Sequence, residues 1–140
     1  MDRKASATWK GGLKDGKGSL VTPSGVLKDT QYSFGTRFEN GVGTNPEELI
    51  AAAHAGCFAM ALSAQLGEVN LKPEVIQATA TVTLEKTPNG FEVTKSHLDV
   101  TARIPGADAA VFEKAAATAK AGCPISRLLN ATITLTAKLE

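Results

Sequence analysis

Cysteine is scarce in this chain: two among 140 residues, Cys57 and Cys123. Two thiols cannot build a disulfide framework. The first residues, Met-Asp-Arg-Lys-Ala-Ser, carry no apolar run after their charges, so no secretory signal is expected. Together these features point to a reducing compartment, where a permanent cross-link is not expected. Excess charge is also missing. Lys and Arg number 15 and Asp and Glu 14, a formal net charge of +1 spread along the chain. That excludes the electrostatic footprint of a nucleic-acid or anionic-membrane binder. No repeat or low-complexity segment is present. Nor is there a long unbroken hydrophobic run: the longest, Leu49 to Leu66, is interrupted by His54, Ser63 and Gln65 and reads as a core helix, not a membrane span. A single cytoplasmic domain over residues 1–140 is therefore expected, long enough for a sizeable core.

What is present centres on Thr44 to Leu66. Asn45 can cap a helix, Pro46 suits its first position, and Glu47 and Glu48 sit where the helix dipole favours negative charge. A run of mostly Ala, Leu and Met follows, with Gly56 the weak helix former inside it and Gly67 as the expected stop. Nearly every side chain after Glu48 is apolar or small, which predicts a helix buried on most of its circumference. Before it lie short strand candidates at Ala5–Trp9, Ser19–Val21 and Gln31–Phe38. After it, Val75 to Glu85 and Phe91 to Ile104 read as strands joined by the hairpin signal Pro88-Asn89-Gly90. Asp108 opens a second helix that stops at Gly122. Pro124 opens a short one through Leu129, and Ala131 to Leu139 closes the chain as a strand. The pattern is α+β with mainly antiparallel sheet.

Gly11 to Gly18 nearly spells a phosphate-binding loop, but Gly18 stands where a metal-binding hydroxyl is needed and no helix follows. It reads as a hairpin loop. His54 lies three residues before Cys57, one helical turn away. With Cys123 the set has no recognised zinc spacing and no fourth ligand, so His54 is read as a neighbour of the pocket. The cysteines are the sharper signal, although each alone reads first as a small core hydrophobe. Cys57 falls mid-helix, where the dipole helps little. Cys123 precedes Pro124 at a helix N-terminus, which favours a thiolate. On that argument Cys123 is the more acidic thiol, and Cys57 competes only if a cation such as Arg37 lies against it.

Four segments taken together resemble the OsmC/Ohr family of thiol peroxidases, and its osmotically inducible OsmC branch most: Arg37-Phe38-Glu39, Thr44-Asn45-Pro46-Glu47-Glu48-Leu49, Ala52-Ala53-His54-Ala55-Gly56-Cys57-Phe58 and Cys123-Pro124-Ile125-Ser126. The resemblance runs in order over essentially the whole chain, and His54 follows the OsmC branch. It implies an intertwined homodimer with strands wrapped around long central helices and two active sites at the interface. It also implies reduction of organic hydroperoxides, and more weakly of hydrogen peroxide. Cys57 would be the attacking thiolate and Cys123 the resolving thiol, with Arg37 stabilising the thiolate and Glu47 orienting Arg37. No metal or bound cofactor is implied, and the reductant would be a dithiol of the lipoyl type.

That chemistry suits the residue types. A thiolate attacking a peroxide becomes a sulfenic acid, a second thiol condenses with it to a disulfide, and an external dithiol reduces the disulfide by exchange. A guanidinium stays charged at any working pH and can hold thiolate and peroxide together. The resemblance assigns the attack to Cys57 and the dipole argument favours Cys123 as the acidic thiol. A low-pKa second thiol is also a good leaving group when the disulfide is reduced. The same residues would serve a non-catalytic redox-sensing or ligand-binding dimer, which oxidises once and stops where an enzyme cycles.

Overall fold

Backbone amides must be paired somewhere, and this chain pairs them in two separate three-stranded sheets. The computed structural model describes all of residues 1–140. The chain divides into two compact units, Met1–Leu49 and Ile50–Glu140.

In the first unit β1 (Ser6–Lys10), β2 (Lys17–Val21) and β3 (Thr30–Tyr32) form an antiparallel meander. The glycine-rich stretch is the β1–β2 hairpin loop, as its missing helix implied. Gly18 sits beneath the Trp9 and Tyr32 rings, whose centroids are 5.4 Å apart, and a Cβ there would collide with Tyr32. The residue that spoils the phosphate-loop pattern is thus demanded by packing.

The expected strand over 31–38 stops at Tyr32, and α1 (Phe34–Phe38) follows. The cause is a capping box. Ser33 Oγ accepts from the Thr36 amide at 3.3 Å and Thr36 Oγ1 accepts from the Ser33 amide at 2.8 Å. Threonine in place of the usual Glu or Gln at the third position concealed the signal. Next begins α2 (Pro46–Glu68), with Pro46 at its first turn. Asn45 Oδ1 accepts from the Glu48 amide at 2.8 Å, and Asn45 Nδ2 donates to the Thr36 carbonyl at 3.0 Å, tying the start of α2 to α1.

The second unit holds most of α2 with β4 (Val75–Thr87), β5 (Gly90–Arg103), α3 (Ala109–Gly122), α4 (Pro124–Leu128) and β6 (Thr132–Leu139). β4 and β5 form the predicted hairpin. β6 lies on the other side of β5 and runs parallel to it, so this sheet is mixed. A parallel neighbour needs a long crossover, and α3 and α4 supply it. Asp108 Oδ1 caps α3 through the amides of Ala110 and Val111. Leu98, Val100, Ala102 and Ile104 face the core with Phe112, Ala116 and Ala119 of α3.

By length and composition α2 could cross a membrane. Instead its His54, Phe58, Leu62 and Leu66, one stripe at helical spacing, are buried. The expectation of burial around most of its circumference is corrected here: the fully buried residues fall on this stripe, with Cys57 and Ala61 partly buried beside it. Ala52, Gly56 and Ala64 on the other side are open, and Met60 is 78% exposed. The helix also passes Gly67 by one residue, and the left-handed residue behind its end is Asn70, at φ 58°.

Candidate active site

The sheet and crossover of the second unit bring the two thiols together. Cys57 Sγ and Cys123 Sγ lie 2.8 Å apart as free cysteines. Cys57 is partly exposed in the middle of α2, while Cys123, between α3 and α4, is fully buried. Pro124 takes the first position of α4, as predicted. The amides of Ile125 and Ser126 then lie close enough to Cys123 to favour its thiolate, although neither closes a capping hydrogen bond.

Their electrostatics diverge. Burial, reinforced by the contact with Cys123, pushes the Cys57 thiol above its ordinary value. Burial opposes ionisation of Cys123 too, but hydrogen bonding from Cys57, from the α4 amides and from the Ser126 hydroxyl outweighs it and brings that thiol down. With both sulfurs protonated either can donate. Once one proton leaves, the other lies between them, and the start of α4 draws the charge towards Cys123.

His54, read from the sequence as a pocket neighbour, is fully buried. Its Nδ1 is 2.7 Å from Ser96 Oγ on β5, and its Nε2 is 2.7 Å from Ser126 Oγ on α4. Both ring nitrogens are therefore engaged by hydroxyls. Neither serine was singled out in the sequence. Ser126 lies in a quoted motif without a role, and Ser96 is 42 residues from His54 with no local signal.

In the first unit the structure pairs Arg37 with Glu47 of the same chain. Arg37 Nη2 donates to Glu47 Oε1 at 2.8 Å and Nε donates at 3.1 Å, a two-nitrogen fork on one carboxylate. The guanidinium also stands 5.4 Å from the centroid of the Phe38 ring. Arg37 borders an apolar cavity of about 310 Å³, lined also by Trp9, Leu13, Tyr32, Phe34 and Phe38.

The family model for OsmC-like proteins matches residues 38–138. The chain belongs to the OsmC family. Peroxiredoxin OsmC of Escherichia coli is 51% identical over 140 residues, covering 100% of this chain and 98% of that protein. The organic hydroperoxide resistance protein of Xanthomonas axonopodis pv. citri is 32% identical over 100 residues, 71% of this chain and 68% of that one. Among solved structures, an organic hydroperoxide resistance protein of Elizabethkingia anophelis is similar with a TM-score of 0.70 at 26% identity, over 100% of this chain and 97% of that one. An OsmC-like protein of unknown function from Vibrio cholerae has a TM-score of 0.76 at 18% identity, covering 98% and 99%, and attests the fold alone. The OsmC fold thus accounts for the α+β architecture with its long central helix.

Proposed function

We propose that this OsmC-family chain is a cysteine-based thiol peroxidase acting on organic hydroperoxides, and more weakly on hydrogen peroxide, in the cytoplasm. The observation that carries this reading is the thiol pair at 2.8 Å with one sulfur partly open and the other closed. Accessibility supports one assignment of the two roles. A peroxide can reach Cys57, whereas Cys123 is fully buried. Cys57 is therefore the attacking thiol, although Cys123 is the more easily ionised one within the unit.

The Cys57 thiolate attacks the outer peroxide oxygen, the O–O bond breaks, and the alcohol leaves with a proton. Cys123 then attacks the sulfur of the resulting sulfenic acid, an S–S bond forms, and the hydroxyl departs as water. An external dithiol of the lipoyl type restores both thiols by exchange. Arg37, held by Glu47, keeps Cys57 ionised and polarises the peroxide, and the aromatic cavity beside Arg37 suits an apolar hydroperoxide tail. No metal or cofactor takes part.

The open face of α2 supports a homodimer in which residues 1–140 form one OsmC-like domain per chain. Cys57 lies ten residues after Glu47 on a continuous helix, a separation of about 15 Å along the axis. The simplest geometry combines Cys57 and Cys123 of one chain with the Arg37–Glu47 fork of the other.

The test is turnover of an alkyl hydroperoxide with dihydrolipoamide and glutathione compared side by side. Cys57→Ser should abolish consumption. Cys123→Ser should react once and leave a sulfenic acid at Cys57 that a dimedone-type probe traps. Single oxidation of the wild type without cycling would favour a redox sensor, and reversed behaviour of the two variants would exchange the roles of the cysteines.

A further inference from the structure

The hydrogen-bonded chain Ser96–His54–Ser126 has no part in the chemistry above, yet its last hydroxyl, three residues beyond Cys123 at the start of α4, is one of the groups that bring the resolving thiol down. Burial holds the His54 pKa below its ordinary value, so the ring is neutral, with one donor and one acceptor nitrogen. Both nitrogens lie 2.7 Å from a serine hydroxyl, and each hydroxyl has a single proton to give.

Two arrangements satisfy these groups. With the proton on Nδ1, His54 donates to Ser96, and Ser126 must spend its own proton on Nε2. Ser126 then shows Cys123 only lone pairs, which suits a protonated thiol. With the proton on Nε2, Ser96 donates to Nδ1, Nε2–H donates to Ser126, and the Ser126 proton is free for the Cys123 sulfur. Every proton then points the same way, from β5 through α2 to the start of α4, and each bond polarises the next. The Ile125 and Ser126 amides favour negative charge at that same sulfur.

We propose that His54 is a positioning residue for the resolving step: by carrying its proton on Nε2 it turns the Ser126 hydroxyl onto Cys123 and keeps that sulfur ionised. The inference rests on Cys123 being the resolving thiol. Cys123 releases its proton to solvent as it ionises. Its thiolate attacks the Cys57 sulfur, the S–S bond forms, the S–O bond breaks, and the departing hydroxide takes up a proton to leave as water. His54 ends the step with the proton it began with. Within Ile50–Glu140 the one titratable group against Cys123 is Cys57 on α2, while α4 contributes the neutral Ile125 and Ser126 amides and the Ser126 hydroxyl; His54 acts on it through Ser126.

The thiolate's ultraviolet absorbance, titrated against pH in the Cys57→Ser chain, reads the remaining thiol without any peroxide. In that background His54→Ala and Ser126→Ala should each raise the midpoint by about one pH unit, a tenfold loss of thiolate at a fixed lower pH. The double substitution should add little to either single one, because both break the same chain of bonds. His54→Gln, whose amide can still donate to Ser126, should restore most of the shift. A purely structural histidine, tying α2 to β5 and α4, predicts a lower melting temperature and an unmoved midpoint. That result in folded Ser126→Ala or His54→Ala protein overturns the inference and leaves the peroxidase reading intact. With Cys57 present, the same variants should lengthen the life of the trapped sulfenic acid. A raised midpoint without that lengthening overturns the resolving role of Cys123.

Discussion

Mixing two impaired chains probes how the site is assembled. Glu47→Ala removes the carboxylate that holds Arg37 through two nitrogens at 2.8 and 3.1 Å. A charge-assisted hydrogen bond contributes about 1.5–3 kcal/mol, so losing the fork should slow peroxide attack roughly 10- to 150-fold. Because the Arg37 side chain is 39% exposed, solvent screening favours the lower end. Cys57→Ser removes the proposed nucleophile outright. Unfolded together and refolded in equal amounts, the two variants should form about half mixed dimers if pairing is random. If each site is shared as proposed, a mixed dimer has one site with both lesions and one intact site, so about a quarter of wild-type activity should return. Alkyl hydroperoxide consumption with excess dithiol gives the readout, and native mass spectrometry counts the mixed dimers. Arg37→Ala mixed with Glu47→Ala is the informative control. Arg37 and Glu47 pair within one chain, so every site in that mixture carries a broken fork and no recovery is expected. If the first mixture shows no more than the mean activity of its two parents while mixed dimers are present, the shared site is wrong.

Arg37→Lys keeps a positive charge but loses the planar fork on Glu47, so single-turnover peroxide attack should slow substantially; an unchanged rate removes Arg37 from the site. His54 supplies a pH prediction. Its folded pKa lies below its ordinary value, so the unfolded chain takes up the proton first as pH falls, and stability drops from about pH 6.5 downward until the folded group also titrates. His54→Gln should lose less stability over that interval than wild type, as read from urea midpoints at neutral and mildly acidic pH. Equal losses in the two proteins would mean that His54 is not the group responsible.

Local signals made much of this fold legible. Asn45-Pro46, Asp108 and Pro124 mark helix starts through backbone chemistry within a few residues, and the β4–β5 hairpin follows from alternation around Asn89-Gly90. The direction of β6 was not legible. Its inner residues Ile133, Leu135, Ala137 and Leu139 alternate identically whether the strand runs parallel or antiparallel to β5, and only the crossover's path decides. α1 was missed because five residues are too few for a helical period to outweigh the alternation of Tyr32, Phe34 and Thr36. At the site, the cysteine motifs drew attention from the sequence, but the partners of His54 did not. Ser96 and Ser126 lie 42 and 72 residues away, a separation no pattern of spacing encodes.

The parallel join between β5 and β6 also sets when the chemistry can begin. A tight turn cannot make that join, so β6 pairs only after α3 and α4 have wrapped back from the end of β5. The two sulfurs are 66 residues apart, and the second rides on that wrapping segment. A chain still emerging from the ribosome exposes Cys57 before its partner exists. A half-folded chain holds two ordinary, unconnected thiols. Their coupling arises only with the completed tertiary structure, so the rate at which the pair oxidises is itself a gauge of how much of a preparation is correctly folded.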